Sequence, residues 1–179
     1  MKNIAGLLAC LSSLLLAACS SMPVGNPHVP EPAKAVQLDR YTGLWYEIAR
    51  YQNSFEKGCE AVTAQYDALE DGRIGIMNTC HKQSVNGVMS TATGKAKVVA
   101  GSNNAKLKVS FFGPFYVGDY WILDHADDYS WSIVGEPSGR YLWILTRNAH
   151  PGDMLVDELY TRARRMGYEI KILRMVVQR

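Results

Sequence analysis

The chain has 179 residues, and its 19 Lys and Arg against 17 Asp and Glu leave a formal charge of only +2. Such a balance gives no electrostatic footprint for nucleic acid, and no nucleic-acid partner is expected. The length fits one domain with a sizeable core once a short N-terminal segment is set aside.

Residues 1–18 read as a signal peptide. Lys2 precedes an apolar run from Ile4 to Leu16, and the small residues Ala17 and Ala18 follow. The run is short for a membrane span, which takes roughly 20 apolar residues. The quartet Leu16-Ala17-Ala18-Cys19 resembles the lipobox of bacterial lipoproteins. That resemblance makes Cys19 the lipidated mature N-terminus, and Ser20 after it directs such a lipoprotein to the outer membrane, facing the periplasm. The alternative is an ordinary signal whose cysteine is incidental. Residues 19–37 contain Pro23, Pro27, Pro30 and Pro32 with Gly25 and Asn26, which predicts an extended linker spacing the domain from the lipid surface.

From Trp45 to Arg147 the pattern is all β. Val62, Ala64 and Tyr66 alternate with polar residues, as do Leu107, Val109 and Phe111. Turn signals at Glu70-Asp71-Gly72, Asn86-Gly87, Gly101–Asn104, Asp127-Asp128 and Pro137-Ser138-Gly139 separate the runs. Strands are predicted near 44–52, 59–67, 73–81, 90–99, 106–112, 119–124, 130–136 and 141–147. Eight antiparallel strands with short turns suit an up-and-down β-barrel, which leaves no edge, with a two-sheet sandwich as the alternative. One helix follows, with Asp153 as the expected N-cap and Gly167 as a left-handed stop. Its apolar stripe Leu155, Leu159, Ala163 and Met166 should pack outside the barrel, and a last strand near Leu173–Val177 should return to the sheet. The Arg162-Ala163-Arg164-Arg165 patch reads as a solvated helix face.

Gly43-Leu44-Trp45-Tyr46 opens the first strand, and Trp143-Ile144-Leu145-Thr146-Arg147 closes the last one of the barrel. The combination resembles the lipocalin family over residues 38–179. The resemblance implies that Trp45 closes the barrel floor with Arg147 packed across it, and that Gly43, Trp45 and Arg147 form the structural motif. A cation over an aromatic face supports such a contact. Ala126-Asp127-Asp128-Tyr129 is a loose match to the family's Thr-Asp-Tyr segment. Residues 45–50 and 108–116 are similar to the bacterial outer-membrane branch of the family and to its animal relative apolipoprotein D.

A barrel of eight strands is either filled by side chains or holds one small ligand. Alternation back from Arg147 turns Leu145, Trp143 and Tyr141 inward. Alternation and family analogy add Val62, Ala64, Tyr66, Ile74, Ile76, Asn78, Leu107, Val109, Phe111, Tyr120 and Ile122. This apolar and aromatic wall suits an amphipathic ligand. The family implies a lysophospholipid or long-chain fatty acid, bound for storage, transport or membrane maintenance under stress. Its chain is expected against Val109, Phe111, Ile122 and Trp143, and its head group near Tyr116 and Tyr120. A dry, filled core is the alternative. The loop from Phe111 to Tyr116 carries four aromatics, so some rings are expected at the barrel mouth or on an exposed patch.

Cys10 leaves with the signal, and Cys59 and Cys80 remain as one pair in an oxidising compartment. Pairing across Gly72 would set Ile76 opposite Ala64 and Cys80 opposite Glu60, so a bend or bulge at the strand end near Lys57-Gly58 is needed for the disulfide. The rival is a reactive thiol beside His81. No nucleophile elbow, phosphate loop or paired-histidine spacing occurs. His28, His81, His125 and His150 are far apart, so no catalytic residue, metal site or cofactor is assigned. A binding protein is the first reading, and a lipid-modifying enzyme on the same scaffold is the second. The family also admits a homodimer.

Overall fold

The computed structural model describes residues 22–179; the signal segment and Cys19 lie outside the described residues. A one-turn helix, α1 (Leu38–Tyr41), precedes eight strands: β1 (Gly43–Tyr51), β2 (Cys59–Ala68), β3 (Ile74–Lys82), β4 (Met89–Val98), β5 (Lys106–Ser110), β6 (Gly118–His125), β7 (Trp131–Gly135) and β8 (Leu142–Thr146). Helix α2 (Asp153–Arg165) and a short strand β9 (Leu173–Met175) complete the chain. Each strand pairs antiparallel with the next, and β1 closes the cylinder by pairing with both β2 and β8. The sheet is a closed barrel, not a sandwich.

Period-two burial follows from that closure, since one face of every strand is sealed inside. Two apolar cores result. The inner one joins Trp45, Tyr66, Ile76, Leu107, Ile122 and Leu145. The outer one joins Ile48, Leu123, Trp131, Ile133 and Ile144 to Leu159 and Ala163 of α2. Leu155 and Met166 flank that contact, so the stripe read from the sequence is the buried one. Asp153 is the first helical residue and Gly152 is the N-cap, with no side-chain cap bond. Asp153 serves the helix by its charge near the N-terminal dipole instead. Gly167 has φ +95°, the left-handed stop.

The seam is split along β1. Its lower half, Gly43–Tyr46, pairs with β2, and its upper half, Ala49–Tyr51, pairs with β9. The tail beyond β9 fills the gap between them: Val176 N–H bonds Ile48 O, Ala61 N–H bonds Val177 O, and Gln178 Nε2 reaches Glu47 O and Val62 O.

The proline-rich stretch carries no helix or strand before α1, yet from Gly25 it does not stand away from the domain. Asn26 and Val36 are buried, Lys34 reaches Asp124 at 3.3 Å, and Val36 N–H bonds Asn103 O. Pro27, Pro30 and Pro32 keep the strap extended, and an extended strap with spare donors binds the polar outer wall well. Only the part before Gly25 is left to act as a spacer.

Candidate functional site

The barrel floor is built by α1 and β1. Gly43, at φ +95°, turns the chain from α1 into the sheet, and a Cβ there would come within 3.3 Å of Arg147. Trp45 is fully buried and donates its indole N–H to Tyr41 O at 2.8 Å. The Arg147 guanidinium lies 3.7 Å over the Trp45 ring. It also donates to the carbonyls of Leu44, Arg40, Tyr41 and Thr42. The oxygens of Arg40, Tyr41 and Thr42 are the orphan acceptors at the end of α1, and Leu44 O belongs to β1, so one cation caps the helix and plates the floor.

Above the floor, three phenols share a network. Tyr120 Oη lies 3.0 Å from both Tyr41 Oη and Tyr66 Oη, and Tyr41 Oη is 3.1 Å from Ser132 Oγ. Burial raises all three above the ordinary phenol value, Tyr41 to about 12, so each stays neutral. Around them Ile74, Ile76, Ala96, Leu107 and Val109 line a cavity of about 20 Å³, room for about one water molecule. An outer recess beside Lys34, Arg40 and Asp127 lies where the strap crosses the closed end, outside the barrel.

The upper barrel is polar. A bulge between Glu47 and Ala49 sets Arg50 level with Trp143. Arg50 is fully buried; it donates to Glu47 Oε1 at 2.6 Å and to the carbonyls of Glu56 and Cys59. The Glu56 carboxylate accepts from Trp143 Nε1 at 3.1 Å and from Asn53 Nδ2. Burial, then the nearby Glu56 charge, pushes Glu47 above the usual carboxylate range despite Arg50. Asn78 Oδ1, on the same inward row as Ile76, is buried with no partner. Phe55, Tyr141 and Trp143 form an aromatic stack at this end, with Tyr141 and Trp143 rings 5.6 Å apart.

Ala64, Tyr66, Ile76, Val109, Tyr120, Ile122 and Trp143 therefore meet on the inner side, with Ile74, Leu107 and Leu145. Three expected residues do not join them. Val62 packs with Cys59, Cys80 and Val176 in a separate cluster. A bulge between Glu60 and Thr63, with Ala61 at φ +45°, resets its alternation. Phe111 stands at the rim, 37% exposed, because β5 ends at Ser110; its ring lies against Gly94. Tyr116 folds outside, where it accepts from Arg73 and lies under Lys97. Tyr116 and Tyr120 thus do not share a head-group site.

Cys59 and Cys80 are bonded, with Cα atoms 5.4 Å apart. The register differs from the expected one. Ile76 faces Tyr66, Glu60 faces His81, and the needed irregularity is the Ala61 bulge, not a bend at Gly58. Sequence reasoning missed Glu47, Arg50, Asn53 and Glu56. Glu47 was readable, since it lies two residues from Trp45 and shares its inward parity. Arg50 was not, because a bulge carries it inward.

Comparison with known proteins gives consistent results. Residues 36–178 match the family described as Lipocalin-like domain. The chain is 37% identical to the outer membrane lipoprotein Blc of Vibrio cholerae over 94% of this chain and 95% of that one. It is 36% identical to Blc of Escherichia coli K12, covering 90% and 89%. Apolipoprotein D of Macaca fascicularis is 33% identical, covering 80% and 74%. Among solved structures, insecticyanin of Manduca sexta superposes with a TM-score of 0.66 at 19% identity, covering 84% and 86%. The cockroach allergen Per a 4 gives 0.62 at 20% identity, covering 89% and 96%. These last two bear on the fold alone.

Proposed function

The chain belongs to the lipocalin family, and from that premise we propose that it is an outer-membrane lipoprotein that binds a single-tailed lipid, lysophospholipid or long-chain fatty acid, in its barrel. The observation that carries this reading is the division of the interior. The lower half is an apolar cup of Ile74, Ile76, Ala96, Leu107 and Val109, and the upper half is a polar network around Arg50. The free space in the cup is about 20 Å³, so an acyl chain would enter by moving the lining side chains apart, with its polar end upward at Glu56, Trp143 and Asn78. The unpartnered Asn78 Oδ1 is an acceptor that a glycerol hydroxyl could satisfy.

Residues 1–18 would be removed and Cys19 acylated. Stable attachment needs more than one acyl chain, which lipoprotein processing supplies. The bacterial relatives named as outer membrane lipoproteins support this location.

Lipocalins are generally binding proteins, and the reading here is stoichiometric binding. The test is native mass spectrometry with lipid extraction on the mature protein taken from its own membrane, followed by titration with fatty acids of rising length. A co-purified lipid at one per barrel is expected. Affinity should climb by up to about 0.8 kcal/mol per CH₂ until the cup is full. Asp in place of Val109 should weaken binding, because a charge there is desolvated without a partner. Chain-length independence, or an unaffected Val109→Asp variant, would place the ligand outside the barrel. Product formation from a lysophospholipid would favour the enzyme reading instead.

A further inference from the structure

We propose that the barrel mouth is a docking surface for the lipid bilayer, so that the cup opens directly onto the membrane that anchors the protein. The inference rests on the reading of Cys19 as the anchor and extends it to an orientation.

The mouth is the end holding the β1–β2, β3–β4, β5–β6 and β7–β8 loops, opposite Trp45. The chain enters the domain there. Gly25 and Asn26 donate their backbone N–H groups to Gly139 O in the β7–β8 loop, and Gly25 O accepts from Glu169 N–H. Tyr51 Oη, at the top of β1, also lies at Gly25 O. A side chain at position 25 would collide with the Tyr51 ring, so the glycine permits the close approach. From Gly25 the strap runs toward the closed end, reaching Asn103 and Tyr129 by residues 36 and 37. Cys19 stands six residues before Gly25. Six extended residues span at most about 20 Å, so the tether cannot pass the length of the barrel and present the closed end to the membrane.

Exposed apolar side chains have the same polarity along the barrel axis. Phe55, Val88 and Met89, 60–80% exposed, lie in or at the edge of the β1–β2 and β3–β4 mouth loops, while Phe112, Phe115 and Val117 lie in the β5–β6 loop, whose Tyr116 folds down the outer wall to Arg73 of the β2–β3 turn. The turns at the closed end present Glu70, Asp71, Asn103, Asn104, Asp127 and Asp128 instead. Leu44, 41% exposed, is bared at that end, and Met154, 89% exposed, stands in the first turn of α2 seven residues beyond Arg147. The charges agree. Lys57, Lys82 and Arg140 stand at the mouth, where Glu56 is turned inward and Glu136 is taken up by the N–H groups of its own loop; at the closed end Arg73 is paired with Asp71 and Lys34 with Asp124 and Asp127, and Arg40 lies over Tyr129. Apolar rings fringed by cations are the chemistry of an interfacial contact with anionic lipid. Phe55 then leads inward through Tyr141 to Trp143, an aromatic path from the surface to the cup.

The test uses the full mature protein in vesicles of phosphatidylethanolamine and phosphatidylglycerol doped with a nitroxide-labelled phospholipid. An environment-sensitive dye is placed at Val88→Cys or, at the closed end, at Asp127→Cys. The expected result is a blue-shifted, strongly quenched dye at 88 and a water-like, unquenched dye at 127. Water-like dyes at both positions on a protein that floats with the vesicles would overturn the docking and leave the anchor standing. A protein that does not float would refute the anchor at Cys19, and the orientation with it. A blue shift at 88 that grows with protein concentration without vesicles would assign the patch to a second copy and overturn the proposal. In a second arm, Val88→Asp with Met89→Asp should slow uptake of a fatty acid from vesicles several-fold and leave its affinity in solution unchanged; unchanged uptake would overturn the proposal.

Discussion

Arg147 does three things at one place: it covers Trp45, caps α1 and abuts Gly43. Trp45→Ala should cost about 3–5 kcal/mol, as for other buried aromatics. Arg147→Ala should cost about 1.5–3 kcal/mol, the range for hydrogen bonds from a charged donor. Denaturant unfolding of the two single variants and the double variant should show a coupling above about 0.5 kcal/mol; additive effects would mean that the ring and the cation act independently. This pair was legible in the sequence because a strand-opening Gly-x-Trp and a strand-ending Arg each have a fixed place in an alternating pattern. Arg50 was illegible for the converse reason. Nothing in the residues around Ile48 marks a bulge, and without the bulge its parity points outward.

Strand positions were readable to within a residue or two, because closure into a barrel forces alternation on every strand and turn residues punctuate it. What alternation could not give was the register, which depends on irregular residues. Ala61 takes a left-handed φ that a sequence would assign to glycine, and that bulge lets Cys59 meet Cys80. The bond ties β2 to β3 at the mouth end across a separation of 21 residues. By chain entropy, closing such a loop is worth about 3 kcal/mol. Thiol titration of the unfolded, unreduced protein should find no free thiol at 59 or 80. The Cys59→Ser, Cys80→Ser variant should unfold at lower denaturant by that amount. The strap at residues 25–37 was misread as a free spacer because prolines report an extended backbone and not what the backbone lies against.

At the scale of the whole molecule, the buried phenols make stability fall in alkali. Tyr41, Tyr66 and Tyr120 have folded-state values raised above 10 by burial, so the native chain holds protons that the unfolded chain releases. Their contribution is full below pH 10 and is lost as the pH rises through the raised values. Each phenol should add about 1.4 kcal/mol per pH unit to the loss above pH 10. Denaturant melts at pH 9, 10 and 11 should show the steepening, and Tyr120→Phe should lessen it; a flat stability across that range would mean the phenols are hydrated. The split seam has a consequence for how the protein comes to exist. The contacts that shut the barrel join residues 103 apart at Arg147 and Leu44 and 131 apart at Gln178 and Glu47. Such distant pairings form late, after the entropy of the intervening loop has been overcome. Until the last residues of the chain have arrived, β1 and β8 present open edges, and unpaired edges are templates for aggregation. Synthesis from the N-terminus delivers β1 first and its final partner last. The interval between them is the time for which the newly made chain depends on whatever holds it apart from its neighbours.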